Sequence, residues 1–233
     1  MRRALVLGGT GAVGRAVVRA LHGEGLSVTF TYHRAVDAAA ALAADIDGRA
    51  LPVDLSQTGA LAALLASPEL TDLAVAVHCA GELCTASLAD LTDADFDRSY
   101  AVNARSAFEL CRGAGALMTA RGGGDIVIVG GLDRAQSLPL PVAYAAAQGM
   151  ISGLVMAAAK ELGPSGVRVN MVALGLLDEG VSSKLAPQLR EDYRAFSALR
   201  RYGTPGEVAR AVAFFVTRNT FVTGRVIAVN GGI

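Results

Sequence analysis

The stretch Leu7-Gly8-Gly9-Thr10-Gly11-Ala12-Val13-Gly14 constrains this chain more than any other. It lies between an apolar run, Ala4 to Leu7, and a helical pattern carried by Val13, Val17 and Leu21. Strand, glycine turn and helix in that order suit a dinucleotide pyrophosphate. Glycines let the backbone bend sharply and approach the phosphates, whose charge is favoured by the unpaired N–H groups at a helix N-terminus. Gly9, Gly11 and Gly14 satisfy G-x-G-x-x-G, and Gly8, Gly11 and Gly14 satisfy the looser G-x-x-G-x-x-G. Either match alone also suits a tight turn with no ligand.

The rest of the chain repeats the alternation. Val28 to Tyr32 reads as a strand ending in His33-Arg34, and Asp37 to Ala44 as an alanine-rich helix. Ala50 to Val53 is a short strand followed by Asp54-Leu55, and Thr58 to Ala66 is a helix. Leu73 to Val77 is a continuous apolar run of the kind that fills a central parallel strand, followed by His78-Cys79-Ala80-Gly81. Thr92, with Asp95 three residues on, caps a long helix that carries Asn103 and runs towards Gly122-Gly123-Gly124. Asp125 to Val129 is another buried strand, and the helix after it contains Tyr144 and ends at Gly163-Pro164. Val167 to Val172 and Val226 to Val229 supply the last strands, with an arginine-rich helical segment between about Ser182 and Arg201 separating them. This order predicts one α/β domain over residues 1–233, a doubly wound parallel sheet with any ligand at the carboxyl ends of its strands.

Composition removes several alternatives. Basic and acidic residues each number 21, so no basic field exists to attract nucleic acid or anionic lipid. Cys79, Cys84 and Cys111 lack C-x-x-C spacing, and His22, His33 and His78 are scattered, so free thiols and no metal site are expected. Met1-Arg2-Arg3 runs into a strand too short for a signal segment or a membrane span, which points to a cytoplasmic protein. About twenty residues past the glycines, an acid suits the 2′-hydroxyl of NAD, whereas an arginine suits a 2′-phosphate. Arg34 therefore favours NADP(H), although Asp37 is close and a solvated turn arginine is the alternative.

With these motifs the sequence resembles the short-chain dehydrogenase/reductase family, and within it the 3-oxoacyl-acyl-carrier-protein reductase type. Besides the glycine loop, the resemblance rests on Val53-Asp54-Leu55, Cys79-Ala80-Gly81, Val102-Asn103, Tyr144, and Gly166-Val167-Arg168-Val169-Asn170. Gly203-Thr204-Pro205-Gly206-Glu207-Val208-Ala209 and the segment from Thr223-Gly224 to Asn230-Gly231-Gly232 extend it to the carboxyl end. It implies a Rossmann-type fold in which Gly8, Gly9, Thr10, Gly11, Val13 and Gly14 carry the cofactor diphosphate. By the same resemblance, His33, Arg34, Asp54 and Leu55 surround the adenosine, and Ala80, Gly81, Asn103, Tyr144, Gln148 and Gly175 lie along the rest of the cofactor.

The catalytic positions depart from the family. Its tetrad is Asn-Ser-Tyr-Lys: the serine and tyrosine hydroxyls hold the carbonyl oxygen, the tyrosine gives the proton, the lysine lowers the tyrosine pKa, and the asparagine orders a water relay. Asn103 and Tyr144 match, but Gly131 stands at the serine position and Gln148 at the lysine position. Leu174-Gly175 replaces Pro-Gly, Glu179 replaces a threonine, His78 replaces an asparagine, and Leu7 and Ala12 alter the glycine loop. Losing one oxyanion donor costs roughly 10²- to 10³-fold in rate, so losing serine and lysine together is serious. The resemblance leaves an NADPH-dependent reductase of a 3-oxoacyl or polyketide-type ketone, with Tyr144 as proton donor and Ser137 as the nearest substitute hydroxyl. The alternative is a catalytically silent cofactor-binding subunit that pairs with an active homologue; dehydration or cyclisation of a polyketide is a third reading. Family members associate through the helices that carry Asn103 and Tyr144 here, so a homo-oligomer or hetero-oligomer is expected. His78 reads as a strand-end residue with a satisfied ring nitrogen and Asn170 as structural. Arg190, Arg194, Arg200 and Arg201 read as a solvated face, or as contacts for an acidic carrier protein.

Overall fold

The computed structural model describes residues 1–131 and 140–233. In chain order the elements are β1 (Arg3–Leu7), α1 (Ala12–Gly23), β2 (Ser27–Tyr32), α2 (Val36–Asp45), β3 (Arg49–Pro52), α3 (Ala60–Leu65) and β4 (Leu73–His78). They continue with α4 (Asp93–Tyr100), α5 (Ser106–Ala120), β5 (Gly124–Gly130), α6 (Val142–Leu162), β6 (Val167–Leu174), α7 (Pro187–Phe196), α8 (Pro205–Thr217) and β7 (Val226–Val229). The strands form one seven-stranded sheet in the order β3-β2-β1-β4-β5-β6-β7. Every pairing is parallel. Strand order reverses between β1 and β4, and the crevice at their carboxyl ends is where such a sheet receives a ligand.

Parallel strands covered on both faces explain the apolar runs. In β1, Ala4 and Val6 face the layer of α1 and α8, packing with Val17, Leu21, Val212 and Phe215. Leu5 and Leu7 face the opposite layer, packing with Leu61, Leu110, Met118, Ile151 and Val155 from α3, α5 and α6. The strand β5 divides in the same way, Val127 and Val129 to one side, Ile126 and Ile128 to the other. Val142–Ser165 is long and apolar enough, by length and composition, to cross a membrane. Here Ala147, Ile151, Val155 and Ala159 are buried, and the last three join the core on the α3, α5 and α6 side of the sheet.

Three local differences from the sequence expectation concern the site. The helix begun by Thr92, whose Oγ1 accepts from the Asp95 N–H at 3.2 Å, does run continuously to Ala120. A π turn at Ala101–Arg105 interrupts its register, and Asn103 sits at the centre of that turn. The arginine-rich segment is not one helix: a tight turn at Gly180–Lys184 is followed by an extended Leu185 and by α7. Pro187 starts α7, since a proline at the first helical turn loses no intrahelical hydrogen bond. Pro205–Thr217 forms a further helix, α8, whose signal is the reciprocal capping box of Thr204 and Glu207.

Candidate active site

The glycine loop joins β1 to α1 through contacts that exclude side chains. Gly8 has φ of 74°, and its N–H donates to Thr31 Oγ1 at 3.1 Å. The Gly9 N–H donates to the Thr31 carbonyl at 2.8 Å, and the Gly11 N–H returns to the Gly8 carbonyl at 3.1 Å. A Cβ on Gly14 would lie 2.1 Å from the Gly8 oxygen, and one on Gly9 would lie 2.5 Å from the Phe30 ring. The two glycines therefore shape the loop from behind, whereas Gly8, Thr10, Gly11, Ala12 and Val13 line the cleft. Gly9 and Gly14, which the resemblance also counts among the residues that carry the diphosphate, pack against Phe30 and the Gly8 carbonyl. Gly175 lines a smaller neighbouring cavity, and a Cβ there would run into the Tyr193 hydroxyl. Its small size serves that packing.

The cleft holds about 510 Å³ and runs along the carboxyl ends of the strands. At one end lie His33 and Arg34 after β2, with Asp54 and Leu55 after β3. Asp54 accepts from the Ser56 N–H and hydroxyl at 2.9 and 2.7 Å, which holds its carboxyl below the usual range, and its other oxygen lies 3.6 Å from His33 Nε2. Ala80 and Gly81 line the centre, beside Cys79, whose burial pushes the thiol far up and makes it a neutral wall. The absence of side chains at Gly8, Gly11 and Gly81 leaves a backbone cradle, and Arg34 offers a cation at its adenosine end. These residues fit a nicotinamide dinucleotide.

Asn103, Tyr144 and Gln148 meet at the other end. Asn103 Oδ1 accepts from the Glu82 N–H at 3.0 Å, and its Nδ2 donates to the carbonyls of Glu82 and Ser99 at 3.0 and 2.9 Å. Its amide thus straps the loop after β4 to the π turn. Gln148 is buried, and its Oε1 accepts from the Gly131 N–H at 2.8 Å. The lysine position is therefore occupied by a group tied to the end of β5. Tyr144 packs against the same glycine, where a Cβ would lie 2.8 Å from the phenol oxygen. Burial pushes the Tyr144 phenol up to about 12. Ser137, the nearest candidate hydroxyl by sequence, lies outside the described residues.

Other residues reach the site, and of these the sequence singled out Glu179 alone. Arg98 donates to Glu82 at 2.8 Å, and both line the cleft. Glu179, Gly180, Val181, Ser182 and Lys184 also line the cleft, next to the start of α1. Glu179 bridges to Arg15 at 3.2 Å, and Arg15 also donates to the Thr10 carbonyl at 3.2 Å. The helical reading of 182–201 hid Ser182 and Lys184 of this lining; the glycine at 180, with φ of 84°, was the available signal for a turn. Arg190, Arg194, Arg200 and Arg201 lie outside the cleft lining. Arg190 stacks over Tyr202 at 4.9 Å, Arg194 pairs with Glu191, and Arg201 pairs with Glu207.

His78 closes the end of β4 beneath the site. Its Nε2 lies 2.7 Å from Ser106 Oγ, which donates to the Val102 carbonyl at 2.6 Å, while Nδ1 has no partner among the described residues. Only one ring nitrogen is satisfied. Burial lowers the imidazole to about 4, from an unfolded value near 6.5. The unfolded chain takes up this proton first as pH falls. Stability from this residue is therefore intact above about pH 7, is lost between about pH 6.5 and 4, and amounts to about 3 kcal/mol. Urea unfolding at several pH values should show that loss in the parent and its absence in His78→Asn.

A doubly wound parallel sheet with a glycine cradle and a tyrosine in one cleft defines a dinucleotide-binding oxidoreductase class. The chain belongs to the short-chain dehydrogenase/reductase family, a family of oxidoreductases that use nicotinamide cofactors. Residues 9–233 match the family model described as Enoyl-(Acyl carrier protein) reductase. Nodulation protein G of a Rhizobium species is 32% identical over all of this chain and 96% of its own length. The 3-oxoacyl-[acyl-carrier-protein] reductase MabA of Mycobacterium tuberculosis is 27% identical over all of this chain and 92% of its own. A solved 7α-hydroxysteroid dehydrogenase, complexed with NADH and 7-oxo glycochenodeoxycholic acid, superposes with a TM-score of 0.91 at 25% identity, covering 99% of this chain and 93% of that one.

Proposed function

We propose that the protein reduces a ketone with NADPH, the ketone being a 3-oxoacyl thioester or a related polyketide-type carbonyl. The observation that carries this reading is a single cleft joining the glycine loop to Tyr144. When bound, the nicotinamide supplies a hydride to the carbonyl carbon. Tyr144 holds its proton throughout the working pH range and delivers it to the carbonyl oxygen as negative charge develops there. Asn103 fixes the loop after β4, and Gln148 fixes the end of β5 against the tyrosine. Arg34 supports NADPH over NADH, with His33 beside it. The 3-oxoacyl assignment rests on the kinship with MabA.

Arg34→Ala should weaken NADPH binding about tenfold and leave NADH binding nearly unchanged, because only the 2′-phosphate gains from a guanidinium there. Cofactor titration by fluorescence measures both. The reductase reading itself is tested by NADPH oxidation with a short 3-oxoacyl thioester.

The tie between Gln148 and Gly131 favours a second reading, a silent subunit paired with an active homologue. On that reading the parent is inactive and Gln148→Lys gains turnover. Exposed Phe96, Tyr100 and Phe108 on α4 and α5, with Val142 and Met156 on α6, support association through these helices, with itself or with such a homologue.

A further inference from the structure

The cavity beside Tyr144 has a simple chemistry. Among the described residues its lining is Leu83, Leu140, Leu174, Leu176, Val181 and Leu185, with Gly131 and Gly175, and the hydroxyls these residues bring to it are those of Tyr144 and Ser182. Ser182 is 4% exposed and lines the main cleft as well, so it stands where the two spaces join. Its Oγ accepts from the Leu177 N–H at 3.2 Å, and its own proton has no acceptor among the described residues. A buried hydroxyl proton without an acceptor is costly, and a ligand oxygen in the cavity would satisfy it.

We propose that Ser182 is the second hydrogen-bond donor to the substrate carbonyl oxygen, supplying from the turn after β6 the contact that Gly131 cannot make from the end of β5. This rests on the ketone reading of the site. A carbonyl oxygen entering an otherwise apolar cavity would accept from Tyr144 and from Ser182. The Leu177 N–H holds the serine oxygen and leaves its proton free to donate. With the hydride supplied by a bound nicotinamide, the Tyr144 proton would go to the carbonyl oxygen and the Ser182 proton would stay on Ser182. Ser182 therefore acts as a donor to developing charge, and no atom of it is transferred.

The test compares two acyl thioesters of equal length, one with and one without the 3-oxo group, on the parent, Ser182→Ala and Ser182→Thr. Binding is titrated on NADP⁺-loaded protein, and turnover is read with NADPH. Expected for Ser182→Ala is loss of about tenfold in affinity for the oxo compound alone, with a roughly 10²-fold fall in kcat. Affinity for the compound lacking the oxo group, and for NADPH, should stay within about twofold, which reports an intact pocket; Ser182→Thr should retain the oxo preference. If the parent oxidises NADPH with the ketone and Ser182→Ala does so equally well, the serine assignment is overturned and the reductase reading stands. If the parent prefers the oxo compound through Ser182 and yet transfers no hydride, the reductase reading falls and the serine contact stands. A parent indifferent to the oxo group overturns both.

Discussion

Tyr144→Phe is expected to reduce ketone-dependent NADPH oxidation by about 10²- to 10³-fold, to near background, with NADPH affinity changed by less than about twofold. Among the described residues, the phenol is the group lining both cleft and cavity that can both donate to a carbonyl oxygen and release a proton to it. Desolvation raises it to about 12, and the position that would hold a cation is the neutral Gln148. The proton is thus always present but reluctantly given. A pH profile of parent turnover should consequently show no inflection from this tyrosine between about pH 6 and 9, since the group stays protonated throughout. Turnover that survives in the phenylalanine variant would place proton delivery elsewhere.

Gly14→Ala should abolish measurable cofactor binding, a loss above about 100-fold, and lower the unfolding midpoint. The added carbon would meet the Gly8 carbonyl oxygen at 2.1 Å and Gly9 Cα at 2.9 Å, both backbone atoms that cannot turn aside as a side chain would. Relief requires the helix to withdraw from the loop, which removes the N–H groups that the phosphates need. Gly23→Ala is the matched control: it lies in the last turn of the same helix with open space around it, and should be neutral or slightly stabilising. Cofactor titration and thermal unfolding of the two variants separate loop geometry from a general dislike of alanine in this helix.

Gly9, Gly14 and Gly175 are each constrained by their own chain. Gly9 and Gly14 belong to the motif, yet the motif cannot say which glycines face a ligand and which face their own chain. Gly9 is needed because Phe30 packs against it, and Gly14 because the Gly8 carbonyl does. Gly175 is governed by Tyr193, a residue distant in sequence. Ser182 went unrecognised for a related reason. Its segment has helical composition, and only Gly180 and Pro187 break it, so the turn that presents the hydroxyl was hidden inside an apparent helix.

The sequence by itself determined the alternation of strands and helices, the direction of the sheet, the place of the glycine loop and the survival of Asn103 and Tyr144. These follow from local periodicity, turn chemistry and spacing, which act within about twenty residues. The tertiary structure alone decided that Gln148 is tied to Gly131, that Asn103 is spent on strapping a loop, and that Ser182 shares a cavity with Tyr144. Each of these joins segments that are remote in the chain, and such contacts are set by how the helices seat on the sheet, a packing outcome that no local pattern encodes.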